Sequence, residues 1–267
     1  MKLSELNIYP VKSLKGISLA SAVVEDRGLQ FDRRWMIVDE NRQFITQREV
    51  PRMATISMSV GTGGLTASAN GNGTINISRE PNTAETATVQ IWSATVTAEF
   101  YPDEVNRWFS EALGTNCRLV LMPETTRRAV NPQYAVRKFV DTVSFADGYP
   151  FLLIGAASLD DLNSRLDQSV PMNRFRPNFV VEGSEPFEED KWKRIRIGQT
   201  EFHVVKPSER CVMTTIDQTA GEKTGKEPLA TLSSYRNRNG KVLFGQNLIA
   251  ESSGGILSVG DEVKVIS

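Results

Sequence analysis

Short apolar segments separated by turn residues recur along the first part of the chain, and this spacing constrains the fold more than any other feature. Such segments predict strands at residues 6–9, 34–38, 43–46 and 89–92. Several short strands at these intervals are typical of a barrel or a sandwich. The Gly-rich stretch 61–73 lacks the Gly-Lys-Ser/Thr ending of a phosphate loop. Asn70-Gly71 or Asn72-Gly73 is therefore interpreted as a hairpin turn before a strand at 74–77.

Helical patterns are few, and strands return in the second half of the chain. Helices are predicted over residues 104–113, 159–166 and 228–235. Asp103 is expected near the N-cap of the first helix and Ser158 at the N-cap of the second, Gly114 is expected to end the first, and Pro228 to start the third. Later strands are predicted at residues 179–181, 195–197, 202–206 and 263–266.

The composition is that of a globular protein of one or two domains, with 267 residues, 40% hydrophobic and 24% charged. A net charge of -1 gives no reason to expect nucleic acid as a partner. The basic stretch 191–197 could contact nucleic acid, but its alternation fits a strand with one solvated face. No apolar run approaches the roughly 18 residues of a membrane span. We therefore expect a cytoplasmic protein without a membrane partner.

Cysteine and histidine are scarce, which restricts the metal chemistry. Cys117 and Cys211 are too few for a disulfide framework, and too few for an iron–sulfur cluster, which typically takes about four. One disulfide between them stays an alternative. His203 lies in an alternating run, where a half-buried strand position is expected. A zinc site that needs several His or Cys ligands does not fit this sequence.

Cys211 follows Arg210 directly, and a neighbouring positive charge stabilises the thiolate that binds metals. A single cysteine cannot hold a bare ion, so an organic cofactor would have to supply most of the coordination. The alternative is an inert thiol in the protein core.

Donor-rich turns could hold a phosphate-bearing cofactor. Lys12 and Ser13 follow the first predicted strand, and Arg33 precedes the second. Arg176 and Asn178 flank a proline that favours extended geometry at Arg176 and would point both side chains to one side. Arginine binds phosphate bidentately, and asparagine offers both a donor and an acceptor. Taken singly, each of these residues would more often form a surface ion pair.

Six segments carry these donor-rich turns and their surroundings: Tyr-Pro-Val-Lys-Ser-Leu-Lys-Gly at 9–16, Asp-Arg-Arg-Trp-Met-Ile-Val at 32–38, Ser-Phe-Ala-Asp-Gly-Tyr-Pro-Phe-Leu-Leu at 144–153, Phe-Arg-Pro-Asn at 175–178, Glu-Arg-Cys-Val-Met-Thr-Thr at 209–215 and Phe-Gly-Gln-Asn at 244–247. Together these segments resemble the MOSC proteins, especially those of the bacterial YcbX type and the mitochondrial amidoxime-reducing components. The resemblance runs in order over essentially the whole chain. It implies a mainly β fold with a few helices, in which an N-terminal β-barrel domain over residues 1–120 packs on a MOSC β-barrel over residues 121–267.

The resemblance also implies a molybdenum–molybdopterin cofactor in the cleft between the domains. Cys211 would ligate the molybdenum, and Asp147 corresponds to an acidic residue near the metal. The cofactor-binding positions would be Lys12, Ser13, Arg33, Gly148, Tyr149, Arg176, Asn178, Arg210 and Asn247. Glu209 departs from the family, whose members often carry serine there, and it brings a negative charge beside the expected phosphate cradle.

The implied activity is the reduction of N-hydroxylated compounds, such as N-hydroxylated bases and amidoximes. The alternative is a protein that binds or carries the molybdenum cofactor or sulfur without reducing a substrate itself. Longer YcbX-type proteins continue into a ferredoxin domain with a cysteine cluster, whereas this sequence ends at Ser267. We therefore expect no iron–sulfur cluster in this chain, and a separate flavin or iron–sulfur protein as the electron donor.

Overall fold

Strands dominate the computed structural model, which describes residues 1–267. The strands are β1 Lys2–Ile8, β2 Ile17–Ser18, β3 Ser21–Glu25, β4 Gly28–Leu29, β5 Trp35–Val38, β6 Ser57–Gly61, β7 Gly64–Ala69, β8 Gly73–Ser78, β9 Thr86–Ile91, β10 Ala94–Phe100, β11 Arg118–Leu121, β12 Phe151–Gly155, β13 Phe179–Glu182, β14 Arg194–Ile197, β15 Thr200–Arg210, β16 Ile216–Asp217, β17 Glu222–Lys223, β18 Asn237–Arg238, β19 Lys241–Ala250, β20 Ile256–Ser258 and β21 Val263–Val265. The helices are α1 Asp103–Leu113, α2 Ala156–Asn163 and α3 Leu229–Tyr235. The mainly β fold with a few helices is confirmed. None of the helices combines the length and the apolar character needed to cross a membrane.

The largest sheet has nine strands in the order β2-β1-β13-β12-β19-β15-β14-β21, with β18 paired to β19. Its buried face is built around Phe151, Phe179 and Phe202, whose ring centroids lie 5.3 to 5.5 Å apart. Aromatic pairs at this separation add to the stabilisation from apolar burial. The two long strands β15 and β19 run antiparallel; β15 ends inside the 209–215 motif, and β19 carries the 244–247 motif.

A second sheet, in the order β5-β11-β10-β9, forms most of the N-terminal part together with the β6-β7-β8 hairpins and α1. Helix α1 buries Val105, Trp108 and Phe109, as its apolar spacing predicted. Gly114 ends the helix in the left-handed conformation, with φ 67°, because a residue without Cβ adopts it at low cost. Asp103 is the first helical residue, and no side chain caps this end.

Backbone hydrogen bonds join the two predicted domains. Strand β1 pairs antiparallel with β13, and β3 pairs antiparallel with β20. Strands β2 and β1 thereby form one edge of the largest sheet, and β20 from the second half of the chain forms one edge of the three-stranded sheet β20-β3-β4. The boundary at residue 120 stays a prediction.

Two local predictions were wrong. Residues 43–46 form isolated bridges rather than a strand, because the Thr46 amide and hydroxyl bond the Glu49 carboxylate and turn the chain. The second helix starts at Ala156, so Ser158 lies inside it rather than at its N-cap. The Ser158 hydroxyl donates to the buried Glu189 carboxylate at 2.7 and 2.9 Å, an interaction that no local pattern indicates.

Replacing Ser158 with alanine should destabilise the protein by about 1–3 kcal/mol, because the buried Glu189 carboxylate would lose its hydroxyl donor. The Phe187 amide, which donates to the Ser158 oxygen at 2.7 Å, would lose its acceptor as well. Urea denaturation measures the change. Ser164→Ala, at an exposed position, is the control and should shift stability by less than about 0.5 kcal/mol. Equal shifts in both variants would contradict this account of Ser158.

Candidate functional site

A cavity of about 410 Å³ is lined by residues from both halves of the chain. Every residue that the sequence predicted for the site lines it: Lys12, Ser13, Arg33, Asp147, Gly148, Tyr149, Arg176, Asn178, Arg210, Cys211 and Asn247. The structure therefore brings together segments that are far apart in sequence. Their roles stay predictions.

Lys12 and Asp147 form an ion pair at the cavity wall. The loop after β1 carries Lys12, which is buried. Its Nζ donates to Asp147 Oδ1 at 2.5 Å and to the Phe145 carbonyl at 3.0 Å. Burial lowers the pKa of Lys12, and the Asp147 carboxylate opposes this effect. Desolvation by the cavity walls alone would raise the pKa of Asp147, but the Lys12 ammonium and hydrogen bonds from Lys12 and Trp92 hold this pKa well below its usual range. The Asp147 side chain is 69% exposed, so the carboxylate faces the cavity while it is paired.

Two arginines enclose Tyr9 beside this pair. The guanidinium carbons of Arg33 and Arg176 each lie 4.2 Å from the Tyr9 ring centroid. Arg33 Nη1 donates to Asp32 at 2.7 Å and to Asn178 Oδ1 at 3.2 Å. Burial lowers the pKa of Arg176 to about 10 and raises the pKa of Tyr9 to about 12. Packing against the Tyr9 ring therefore holds both arginines in place.

The predicted extended backbone at Arg176 was wrong. Arg176 has φ 56°, in the left-handed region, although a proline follows it. Tertiary contacts impose this conformation, because the buried side chain packs on Tyr9 and the Arg176 carbonyl accepts from Arg33 Nη2 at 3.2 Å. Strained backbone of this kind is common where a side chain must face a ligand.

Arg210 has a buried guanidinium nitrogen without a partner. Nε donates to the Phe244 carbonyl at 2.7 Å and Nη1 to the Phe175 carbonyl at 3.0 Å, whereas the buried Nη2 has no hydrogen-bond acceptor. Burial lowers the pKa of Arg210 to about 10. Gly245 leaves room for this side chain, since a Cβ there would lie 2.7 Å from the Leu153 carbonyl oxygen and 3.3 Å from Arg210 Nη2. A buried donor without a partner suggests a missing acceptor.

Cys211 follows the end of β15 as a free, exposed thiol that lines the cavity. The alternative of an inert core thiol is therefore wrong for Cys211. It describes Cys117 instead, which is buried and free, with a pKa that burial raises to about 11. No disulfide joins the two cysteines. His203 is partly buried on β15 beside Glu251, as its pattern predicted.

Two lysines offset the charge of Glu209: Lys206, which lines the cavity, and Lys241. Glu209 Oε1 lies 2.7 Å from Lys206 Nζ and 2.9 Å from Lys241 Nζ. The expected negative charge beside the cradle is thus offset locally.

No group of three or more His, Cys, Asp or Glu side chains converges as a metal site. Cys211 would therefore need an organic cofactor to complete the coordination of a metal.

Sequence reasoning missed Arg128, which shapes the site from beneath. Its buried guanidinium donates to the carbonyls of Ser144 and Ala146 through Nη1, at 2.9 and 2.5 Å, and to that of Asp147 through Nη2, at 2.8 Å. These bonds fix the loop that carries Asp147. Arg48 and Trp92 were also missed, although an aromatic residue at the end of an alternating strand, in a turn, was a usable signal for Trp92.

Arg128→Met should destabilise the protein by roughly 2–4 kcal/mol, because two buried carbonyl groups and one partly buried carbonyl group would lose a charged donor. Thermal unfolding measures this change. Arg127→Met removes the same charge from the exposed neighbouring position and should have little effect. A small effect at both positions would contradict the proposed support of the Asp147 loop.

Comparison with known families matches both parts of the chain. The MOSC N-terminal beta barrel domain model matches residues 1–116, and the MOSC domain model matches residues 140–264. The β-barrel assignment of the N-terminal part, expected from the sequence, is confirmed.

Curated relatives agree with these matches. The chain is 34% identical to mitochondrial amidoxime-reducing component 1 of Mus musculus, over 98% of this chain and 82% of that protein. It is 35% identical to mitochondrial amidoxime reducing component 2 of Rattus norvegicus, over 97% and 82%. It is also 35% identical to the molybdenum cofactor sulfurase of Oryza sativa subsp. japonica, over 91% of this chain but only 32% of that longer protein. The chain therefore belongs to the MOSC domain proteins that carry an N-terminal MOSC β-barrel domain.

Proposed function

We propose that this protein is a molybdenum-cofactor-dependent reductase of N-hydroxylated compounds, such as N-hydroxylated bases and amidoximes. The observation that carries the proposal is the unpartnered Nη2 of Arg210, buried beside the exposed Cys211 in a cavity rich in cations. The names of the relatives, amidoxime-reducing components and molybdenum cofactor sulfurases, support the same chemistry.

The residues present fit a phosphate-bearing molybdopterin. Lys12, Arg33, Arg176 and Arg210 line one cavity. Burial disfavours the charged form of Arg176 and Arg210, which form no ion pair, and a bound anion would offset this effect. Guanidinium groups bind phosphate oxygens bidentately, so Arg210 and Arg176 would hold the phosphate. Asn178 and Ser13 would bind polar edges of the pterin. Cys211 would supply the one thiolate that the protein gives to the metal.

A bound molybdenum–molybdopterin cofactor supplies a two-electron centre that can accept oxygen. The net reaction breaks the N–O bond of the substrate, consumes two electrons and two protons, and yields the N–H product and water. Lys12 Nζ donates a hydrogen bond to Asp147 Oδ1 at an N–O distance of 2.5 Å, and the exposed carboxylate of Asp147 reaches the cavity. This pair is placed to supply protons, while the Arg128 contacts keep its carboxylate in position.

The electrons would come from a separate flavin or iron–sulfur protein, because a cluster typically takes about four cysteines and this chain has Cys117 and Cys211. We place the protein in the cytoplasm, a proposal that rests on the sequence pattern. The other partner is a small N-hydroxylated molecule, with no role for nucleic acid or a membrane.

A second candidate function is binding or carrying the cofactor or sulfur. The exposure of the Cys211 thiol favours it, as does the match to a segment of the rice sulfurase. Cys211 would then act as a persulfide or cofactor anchor, without substrate turnover.

Protein purified from a host that makes molybdopterin separates the two functions. Bound molybdenum together with dithionite-driven reduction of N-hydroxycytosine to cytosine is the result expected for the reductase. Bound cofactor without turnover of N-hydroxycytosine or benzamidoxime would contradict the reductase and favour the carrier.

A further inference from the structure

Arg48 and Trp92 form a pair at the opening of the cavity that neither the motifs nor the proposed cofactor cradle uses. The guanidinium carbon of Arg48 lies 4.6 Å from the Trp92 ring centroid. Nη1 of the same guanidinium lies 3.9 Å from Cys211 Sγ. A flat, delocalised N–C–N group thus rests on an indole ring directly beside the predicted metal ligand.

Trp92 is held in an unusual position for a tryptophan. It follows β9 in the turn to β10 with φ 55°, a conformation that bulky residues rarely adopt, and the residue is 40% exposed. Its indole N–H donates to Asp147 Oδ1 at 3.2 Å, and its ring packs on Phe44 at 4.9 Å between centroids. A large aromatic ring that is fixed yet exposed at a cavity is suited to stacking on a ligand.

Arg48 is bound less firmly than the other arginines of the site. Arg33 forms an ion pair with Asp32, and Arg210 donates to two backbone carbonyls. Arg48, by contrast, contacts the Trp92 ring and the Cys211 sulfur through its guanidinium and forms no ion pair. A partly exposed arginine with such contacts can leave its place at low cost.

We infer that the Trp92 ring, on the side facing Cys211, is a stacking subsite for planar N–C–N groups, and that Arg48 fills this subsite until a substrate displaces it. The inference deepens the proposed function and rests on it for the identity of the substrate. Amidoximes, N-hydroxyguanidines and N-hydroxylated cytosine or adenine all contain a planar carbon between nitrogens, as guanidinium does. Saturated N-hydroxyamines lack this plane. Trp92 and Arg48 therefore act as residues that determine specificity.

Binding to the molybdenum-loaded protein without reductant tests the subsite separately from turnover. The probes are benzamidoxime, which is planar, and N-benzylhydroxylamine, which keeps the phenyl ring and the N–OH group but has a saturated carbon between them. Calorimetric titration should show the wild type favouring benzamidoxime by about fivefold or more, the effect of one good stacking contact. Trp92→Leu should abolish this preference, and Trp92→Phe, which keeps a ring but loses the indole N–H, should retain most of it.

Arg48→Ala should increase the preference for benzamidoxime, because it removes the guanidinium group that this ligand must displace from the Trp92 ring. Benzamidoxime should bind this variant several-fold more tightly than the wild type, with a much smaller change for N-benzylhydroxylamine. Molybdenum content and circular dichroism establish that each variant is loaded and folded. An unchanged preference in Trp92→Leu, or weaker benzamidoxime binding in Arg48→Ala, would overturn the inference. Absence of dithionite-driven turnover alongside a preference that depends on Trp92 would contradict the reductase but not the subsite.

Discussion

Cys211→Ala is expected to lower the rate at which N-hydroxylated substrates are reduced by more than about 100-fold. Losing a residue that only hydrogen-bonds to a metal ligand costs roughly 10- to 100-fold, so losing the ligand itself should cost more. The thiol lies exposed in the cavity. Among the residues that line the cavity it is the one cysteine, and no histidine lines it, so Cys211 is the soft donor that the site offers to a metal. Dithionite-driven turnover of benzamidoxime by purified protein measures the effect. The fold should tolerate the substitution, because the side chain is exposed and truncation leaves no buried cavity.

Cys117→Ala is the matched control for this prediction. Cys117 is the other free cysteine, buried in the N-terminal core near Ser110, with its sulfur 3.7 Å from the serine oxygen. Its replacement should reduce stability slightly and leave turnover per folded molecule unchanged. Equal activity losses in the two variants would show that a general loss of structure, rather than the Cys211 thiolate, underlies the effect.

Asp147→Asn should reduce kcat by about 100-fold, the usual contribution of a positioned proton-transfer group, with a smaller change in KM. The substitution keeps the shape of the side chain but removes the negative charge 2.5 Å from Lys12 Nζ. That charge raises the pKa of Lys12 against the effect of burial, so its loss lowers the pKa further. Lys12 would then lose its proton at lower pH than in the wild type. The alkaline limb of the rate profile should therefore shift to lower pH.

Steady-state kinetics across pH, with turnover expressed per bound molybdenum, tests this prediction. Glu209→Gln is the control, since it removes another carboxylate at the cavity whose charge is already taken up by Lys206 and Lys241. Its rate profile should match that of the wild type. An Asp147→Asn enzyme with an unshifted alkaline limb would contradict a proton-supplying role for the Lys12–Asp147 pair.

Local patterns predicted those parts of the fold that depend on neighbouring residues. Helix α1 matched its prediction because its buried side chains recur at helical spacing and Gly114 ends it by its own conformational freedom. The start of helix α2 did not, because Ser158 bonds Glu189, which lies 31 residues further along the chain. Distant partners of this kind leave no periodic signal.

In the site, too, residues within recognisable motifs could be predicted from the sequence, whereas features that depend on distant contacts could not. Lys12, Arg33, Asn178 and Cys211 could be named because they lie in recognisable motifs, and the structure brings them to one cavity. The left-handed backbone of Arg176 could not be predicted, since packing on Tyr9 outweighs the preference that the following proline imposes. Arg128, Arg48 and Trp92 act through contacts with residues distant in sequence, so only the folded chain reveals them.

X-ray absorption at the molybdenum edge is the most direct test of the central claim that Cys211 binds molybdenum in this cavity. It counts the sulfur atoms around the metal in the protein loaded by a host that makes molybdopterin. The wild type is expected to show one more sulfur neighbour than Cys211→Ser, which replaces the sulfur with oxygen at the same position. The same number of sulfur neighbours in both proteins, or wild-type protein that carries no molybdenum, would contradict the claim.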